Sequence, residues 1–139
     1  MGTGIAIVSA FVAQTPVLII DRDQAALDKC KEFVESWSKK QLEKKKVTAD
    51  LVEKAQGMMS YATWGDERLK QVDFLIEAVS ENETIKEKVL RQACAEVKDG
   101  SVIASNTSSI SITKIASWTP QPDRVIGMHF MNPVPVMPL

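Results

Sequence analysis

Short apolar runs alternate with longer amphipathic stretches along the chain. The apolar runs are continuous rather than interrupted at every second residue, which indicates strands of a sheet covered on both faces. The predicted strands are residues 17–20, 74–79, 102–105 and 125–128, with a weaker candidate at 58–62.

The longer stretches around these runs are predicted to be helices. In 24–45 and 83–97 the apolar residues recur near the 3.6-residue period, and 4–14 is apolar throughout and rich in small residues, as in a buried helix packed on a sheet. Thr48 is a suitable N-cap for one of them, and Gly57 is its expected stop. Strands that alternate with helices predict βαβ units and a parallel sheet, which is an α/β fold. The predicted helices are residues 4–14, 24–45, 49–56 and 83–97.

The composition is that of an ordinary globular domain, with 45% hydrophobic and 25% charged residues. Seventeen basic against eighteen acidic residues leave a net charge of −1, so nothing favours nucleic acid or a membrane as partner. No apolar run approaches the roughly 20 residues that span a bilayer. Cys30 and Cys94 are expected to be reduced, inert thiols on helices. A single histidine, His129, excludes a zinc site built on several imidazoles, and no metal is predicted.

The first residues resemble the second half of a Gly-x-Gly-x-x-Gly dinucleotide-binding motif. Gly2 would be its third glycine, followed by Gly4, while the strand and the first two glycines are absent. Asp21 ends the first apolar run, where an acid accepts hydrogen bonds from the adenosine ribose and repels a 2′-phosphate, favouring NAD over NADP. Two alternatives stay open. Asp21 could simply open the turn into a helix capped by Asp23, and Arg22 could accommodate a 2′-phosphate.

Polar segments at 77–82, 105–109 and 129–135 stand at the carboxyl ends of three of the predicted strands. In open α/β sheets the ligand crevice lies outside the carboxyl ends of the strands, so the three segments are expected to converge on one crevice. Each also has a simpler interpretation. The first could cap the next helix, the second could be a turn, and the third could hold a structural histidine.

Residues 77–82, 104–112 and 127–137 read EAVSEN, ASNTSSISI and GMHFMNPVPVM. These segments resemble the motifs of the 3-hydroxyacyl-CoA dehydrogenases, in their short-chain 3-hydroxybutyryl-CoA form, and the likeness extends over residues 1–139. It implies an incomplete NAD-binding domain with a Rossmann-like, doubly wound, mostly parallel sheet. It also implies NAD-dependent oxidation of an L-3-hydroxyacyl-CoA to a 3-ketoacyl-CoA, and the reverse reaction, in fatty acid β-oxidation.

The resemblance assigns proton transfer to residues of the last two motifs. His129 is expected to remove the proton of the C3 hydroxyl as general base. Ser108 is expected to hydrogen-bond the same oxygen, and Asn132 to orient the reacting groups. Glu81, Lys86 and Asn106 would lie on the nicotinamide side. The full set of expected NAD-binding residues is Gly2, Gly4, Asp21, Glu81, Lys86 and Asn106.

The same resemblance places parts of the enzyme outside these 139 residues. The first strand is central in the Rossmann order, and it is missing together with the helical domain that completes the acyl-CoA cleft and forms a homodimer. A glutamate that orients the catalytic histidine would lie twelve residues after His129, beyond Leu139. We therefore expect the chain by itself to fold poorly and to be inactive; the alternative is a truncated or spliced form kept for binding or structure. The family occurs in the cytoplasm, in mitochondria and in peroxisomes.

Overall fold

The computed structural model describes residues 1–137 of the chain. The chain divides into two compact units. The first unit consists of Thr3–Asp66 together with Pro133–Pro135, and the second is built mainly from Glu67–Asn132.

In the first unit a pair of parallel strands packs with three helices. The two strands are aligned from Val17 opposite Met59 to Ile20 opposite Ala62. Side chains of all three helices form one apolar core with Met59. The strand residues Val17–Ile20 are only partly buried, so the burial on both faces that the apolar runs predict is incomplete in this unit. The elements are α1 (Gly2–Phe11), β1 (Val17–Ile20), α2 (Gln24–Glu43), α3 (Ala49–Gly57) and β2 (Met59–Ala62).

The helix starts of this unit follow from local chemistry. The Asp23 carboxylate accepts from the Ala25 N–H at 2.9 Å at the start of α2, and Thr48 caps α3 as predicted. The prediction that Gly57 stops α3 is wrong, because Gly57 is still helical. The chain passes into β2 through Met58, whose φ is −86°, so no left-handed turn requires a glycine there.

Helix α1 begins and ends earlier than the predicted 4–14. The N–H groups of Ala13 and Thr15 bond back to Val8 and Ser9, and Gln14 has a φ of 50°. The apolar composition of this stretch predicted a helix but contained no cap that marked its end.

The second unit contains a three-stranded parallel sheet in the order β3-β4-β5. Its core lies between the sheet and the helices, around Leu90, Ile103, Ile115 and Trp118. Its elements are β3 (Phe74–Glu77), α4 (Glu83–Glu96), β4 (Val102–Ser105), α5 (Ile112–Ala116) and β5 (Val125–Gly127), with 3₁₀ turns at Glu67–Gln71 and Pro122–Arg124.

The predicted α/β class with parallel strands is confirmed. The described strands form two separate sheets, one of two strands and one of three. Helix α5 was not predicted, because its five residues are too few for a periodic pattern. No helix within residues 1–137 combines the length and the apolar character needed to cross a bilayer.

Candidate functional site

The carboxyl ends of β3, β4 and β5 are aligned at one edge of the second unit's sheet. Glu77 lies opposite Ser105, and Ser105 lies opposite Gly127. The ladder continues one step further, since Asn106 N donates to Glu77 O and Met128 N to Ser105 O, both at 2.9 Å. The three polar segments therefore leave the sheet side by side, as the sequence predicts.

A buried ion pair joins the end of β3 to α4. Lys86 Nζ lies 2.8 Å from Glu77 Oε1 and 3.0 Å from Oε2, and it also donates to Val79 O at 3.3 Å. Lys86 is 1% exposed and Glu77 3%. The carboxylate also accepts from the Val79 N–H at 2.7 Å and the Ser105 hydroxyl at 2.6 Å. Both buried charges are thus paired and hydrogen-bonded, as burial demands.

Lys86 therefore contacts protein groups, and its three N–H donors are matched by Glu77 and Val79 within the protein. The sequence reasoning assigned no role to Glu77. The signal was available, because an acidic residue that ends an otherwise apolar strand must have a partner if it is buried.

Glu81 holds the segment that follows β4. One of its oxygens, Oε1, accepts from the Thr107 hydroxyl at 2.5 Å, from the Ser108 N–H at 3.0 Å and from the Ser109 N–H at 3.1 Å. The other, Oε2, lies 3.3 Å from Lys86 Nζ. The Thr107 hydrogen bond, with those of Ser108 and Ser109, lowers the pKa of Glu81 from 4.5 to about 2.

Helix capping belongs to the neighbouring residue. The Asn82 side chain accepts from the Ile85 N–H at 3.0 Å at the start of α4. The simpler interpretation of this segment therefore applies to Asn82, while Glu81 reaches across to the serine-rich segment after β4.

Asn106 ties the end of β4 to the segment that carries the histidine. Its Oδ1 accepts from the Phe130 N–H at 2.7 Å, which fixes the backbone next to His129. No partner for the Asn106 NH₂ group occurs among the described residues, so these donors are available to a ligand.

His129, Asn132 and Ser108 are exposed, as groups that meet a substrate must be. Within residues 1–137 no hydrogen bond holds the His129 or Asn132 side chain. The Ser108 hydroxyl lies 3.4 Å from Glu81 Oε1, at the outer limit of a hydrogen bond. Direct contacts in the second unit thus link Glu81 to Lys86 and to Ser108. Asn106 is joined to this group through the backbone of Glu77, and it contacts the backbone of Phe130, next to His129.

Asp21 and Gly4 belong to the first unit. Asp21 follows β1, and its Oδ1 accepts from the Asp23 N–H at 3.1 Å, so it does open the turn. Its other oxygen has no hydrogen-bond donor among the described residues. Gly4 permits close packing, since a Cβ there would lie 3.0 Å from Val134 Cβ. Gly2, the first residue of α1, belongs with Ala78 to the second unit, and an added Cβ would only reach ordinary contact distance, 3.9 Å, from Ala78.

The cysteines take no part in this arrangement. Cys30 is buried in α2 and accepts from the Thr3 hydroxyl at 3.3 Å, while burial raises the pKa of the Cys94 thiol on α4. Among residues 1–137 no group of three or more His, Cys, Asp or Glu side chains is arranged to hold a metal ion.

Comparison with known proteins connects this geometry to a family. The family model for the 3-hydroxyacyl-CoA dehydrogenase NAD-binding domain matches residues 1–139. The 3-hydroxybutyryl-CoA dehydrogenase of Bradyrhizobium diazoefficiens is 40% identical over 139 residues, which are 100% of this chain and 47% of that protein. The α subunit of the fatty acid oxidation complex of Acinetobacter baylyi is 40% identical over 143 aligned positions, covering 100% of this chain and 19% of that protein.

Solved structures that are similar to this chain carry the same names as these relatives. (S)-3-Hydroxybutyryl-CoA dehydrogenase from Ralstonia eutropha matches with a TM-score of 0.93 and 43% identity, over 100% of this chain and 48% of that one. For 3-hydroxybutyryl-CoA dehydrogenase from Escherichia coli K12 the TM-score is 0.91 and the identity 34%, over 99% of this chain and 29% of that one. The chain spans about half the length (47%) of the curated Bradyrhizobium relative. It belongs to the 3-hydroxyacyl-CoA dehydrogenase family and corresponds to the NAD-binding domain of that family.

Proposed function

We propose that this chain binds NAD and supplies the proton-transfer residues for the oxidation of L-3-hydroxyacyl-CoA to 3-ketoacyl-CoA, and for the reverse reaction. The observation that carries the proposal is the alignment of β4 and β5. It brings the segments of Ser108 and His129 out of the sheet side by side, tied together by the Asn106 to Phe130 hydrogen bond of 2.7 Å.

NAD, when bound, accepts the hydride from C3 of the substrate. The described residues fit such a ligand, because Asp21 keeps an unused carboxylate oxygen and Asn106 keeps its NH₂ donors. In this proposal Asp21 accepts from the adenosine ribose and Asn106 faces the nicotinamide. Gly2 and Gly4 form the start of α1, whose N–H groups favour the pyrophosphate.

His129 is the general base in this proposal. An imidazole nitrogen removes the proton of the C3 hydroxyl as the hydride leaves, and returns it in the reverse reaction. Ser108 hydrogen-bonds the same oxygen, and Asn132 orients the reacting groups. All three side chains are exposed, so a substrate can reach them without rearrangement of the core.

Lys86 and Glu81 have different roles in this proposal. Lys86 is a positioning residue, because its donors are matched by Glu77 and Val79. Glu81 has Oε1 surrounded by the residues after β4, while its Oε2 has only Lys86 as a partner among the described residues and is the atom offered to the nicotinamide ribose.

We further propose that the 139 residues alone do not turn over substrate, and that the active form is a homodimer acting on acyl-CoA in fatty acid oxidation. The cytoplasm is the compartment that fits the bacterial relatives. The test needs an extended protein, defined as these 139 residues lengthened at both ends with the flanking segments of the Bradyrhizobium relative.

The decisive experiment measures oxidation of NADH by acetoacetyl-CoA with the extended protein and its variants. His129→Ala is expected to remove most of the turnover while NADH still binds, because the imidazole moves a proton and does not hold the cofactor. Asp21→Ala is expected to have the opposite effect: it raises the Kd of NADH more than it lowers the turnover. Absence of turnover in the unmodified extended protein would refute the proposal. Micromolar NADH binding by the 139 residues alone, without turnover, would favour a binding role instead.

A further inference from the structure

The serine-rich segment after β4 is held by a single carboxylate oxygen. Glu81 Oε1 accepts from two successive backbone N–H groups, those of Ser108 and Ser109, and from the hydroxyls of Thr107 and Ser109, the last at 3.0 Å. Within the segment, Thr107 Oγ1 also accepts from the Ile110 N–H at 3.0 Å. The backbone at Ser108 is therefore determined by a residue that follows a different strand.

The Glu81 carboxylate is itself held in place by Lys86. Lys86 Nζ lies 3.3 Å from Glu81 Oε2, and Lys86 is anchored by the buried Glu77. Every described group around Glu81 is therefore a donor: an ammonium, two backbone N–H groups and hydroxyls. A carboxylate, which only accepts, satisfies this environment, whereas an amide would have to point an N–H at one of these donors.

Neither core packing nor helix capping explains this placement. The Glu81 side chain is 37% exposed and contributes nothing to the apolar core, and Asn82 already caps α4. The hydrogen bonds of Glu81 converge instead on the one segment that contains Ser108, the residue proposed to bind the substrate oxygen.

We infer that Glu81 is a positioning residue for Ser108: by fixing the backbone of residues 107–109, it sets the place from which the Ser108 hydroxyl meets the substrate oxygen. The inference rests on the proposed function. Because the Ser108 hydroxyl lies at 3.4 Å from Glu81 Oε1, it can turn to the substrate without losing a strong bond. Small displacements of a reacting or orienting group reduce turnover strongly, by up to about 100-fold per ångström.

The test compares Glu81→Gln with Glu83→Gln in the extended protein. Glu83 is a matched control because it is an exposed glutamate two positions along that pairs with Lys114 at 2.6 Å and makes no described hydrogen bond to residues 107–109. In Glu81→Gln the amide oxygen can still accept from the nicotinamide ribose in place of Oε2, while the NH₂ group faces the donors that surrounded Oε1. The variant is therefore expected to lower kcat about 10- to 100-fold with a change in the Kd of NADH of about threefold or less. Glu83→Gln is expected to leave both unchanged.

A double-mutant cycle with Ser108→Ala separates positioning from other roles. If Glu81 acts through Ser108, then Glu81→Gln changes kcat by no more than about twofold once Ser108 is alanine. If the two substitutions instead act independently, the fold-losses of kcat that they cause singly will multiply in the double variant. That result would overturn the inference. So would a raised Kd of NADH with unchanged kcat, which is the result for a residue that only contacts the cofactor.

Amide hydrogen exchange tests the structural step apart from catalysis. Exchange at Ser108 and Ser109 is expected to accelerate at least tenfold in Glu81→Gln and to stay unchanged in Glu83→Gln. Equal exchange in both variants overturns the inference whether or not the enzyme is active. If the unmodified extended protein lacks turnover, the proposed function fails, and the exchange rates alone decide whether Glu81 holds the segment.

Discussion

Replacing Lys86 with methionine removes a buried cation and leaves the Glu77 carboxylate without its ion-pair partner. Both side chains are almost fully buried, with exposed fractions of 1% and 0%. Breaking such a pair on one side costs about 3–5 kcal/mol of folding free energy. We expect the lower end, about 3 kcal/mol, because Glu77 keeps its bonds to the Val79 N–H and the Ser105 hydroxyl.

The measurement is the midpoint of urea unfolding of the extended protein, monitored by tryptophan fluorescence. With a slope of about 1–3 kcal/mol per molar urea, the midpoint is expected to fall by about 1–3 M. Lys70→Met is the matched control, because Lys70 pairs with Glu67 at 2.8 Å but the two side chains are 67% and 81% exposed. That variant is expected to lose less than about 1 kcal/mol.

A double variant, Glu77→Gln with Lys86→Met, tests whether the loss arises from an uncompensated charge. The glutamine can still accept from the Val79 N–H and donate to the Ser105 hydroxyl, and no buried charge remains. We expect the free energy of unfolding of the double variant to lie within about 1 kcal/mol of that of the unmodified protein. If Lys86→Met cost no more than Lys70→Met, or if the double variant were the least stable, the reasoning about buried charge would be wrong.

Two further predictions concern Glu81 and Gly4. Because the pKa of Glu81 falls to about 2 from an ordinary value of 4.5, its carboxylate contributes to stability above pH 4.5, and this contribution is lost as the pH falls toward 2. The difference in unfolding free energy between the unmodified protein and Glu81→Gln is therefore expected to be constant above about pH 5 and to shrink below it; growth of the difference on acidification contradicts this. Gly4→Ala is expected to cost about 1–3 kcal/mol, because the new methyl would lie 3.0 Å from Val134 Cβ. Gly57→Ala, with nothing within 4 Å, is the control and is expected to stabilise by about 0.5–1 kcal/mol; equal unfolding midpoints for the two would exclude the packing role of Gly4.

Much of the fold could be predicted because its signals are local. The strand at 102–105 was predicted with its observed bounds, and β3 only two residues too long. The reason for the second error is tertiary: Val79 turns out of the strand to donate to the Glu77 side chain. Thr48 was predicted as an N-cap because a hydroxyl before a periodic run is a local pattern.

The residue types at the candidate site were also predictable, since polar segments after parallel strands share one edge of a sheet. The hydrogen-bond partners of these residues were not predictable. Glu81 was assigned to the cofactor side, but its Oε1 accepts five hydrogen bonds, all from residues 107–109, which lie 26 to 28 positions further along the chain. Asn106 was assigned to the nicotinamide side, and the structure adds that its Oδ1 accepts a hydrogen bond from the Phe130 N–H, next to His129.

The sequence by itself determined the order of strands and helices, their parallel arrangement and the strand ends at which the chemistry lies. Apolar runs, helical periodicity and capping residues act over a few positions, so they can be read without coordinates. Only the tertiary structure decided which acid pairs with which donor. Glu77 is buried with Lys86, and Glu81 reaches the serine-rich segment, because the register of the parallel strands sets Glu77 beside Ser105. Such pairing depends on three-dimensional distances of about 3 Å between residues far apart in the chain, which no local pattern encodes.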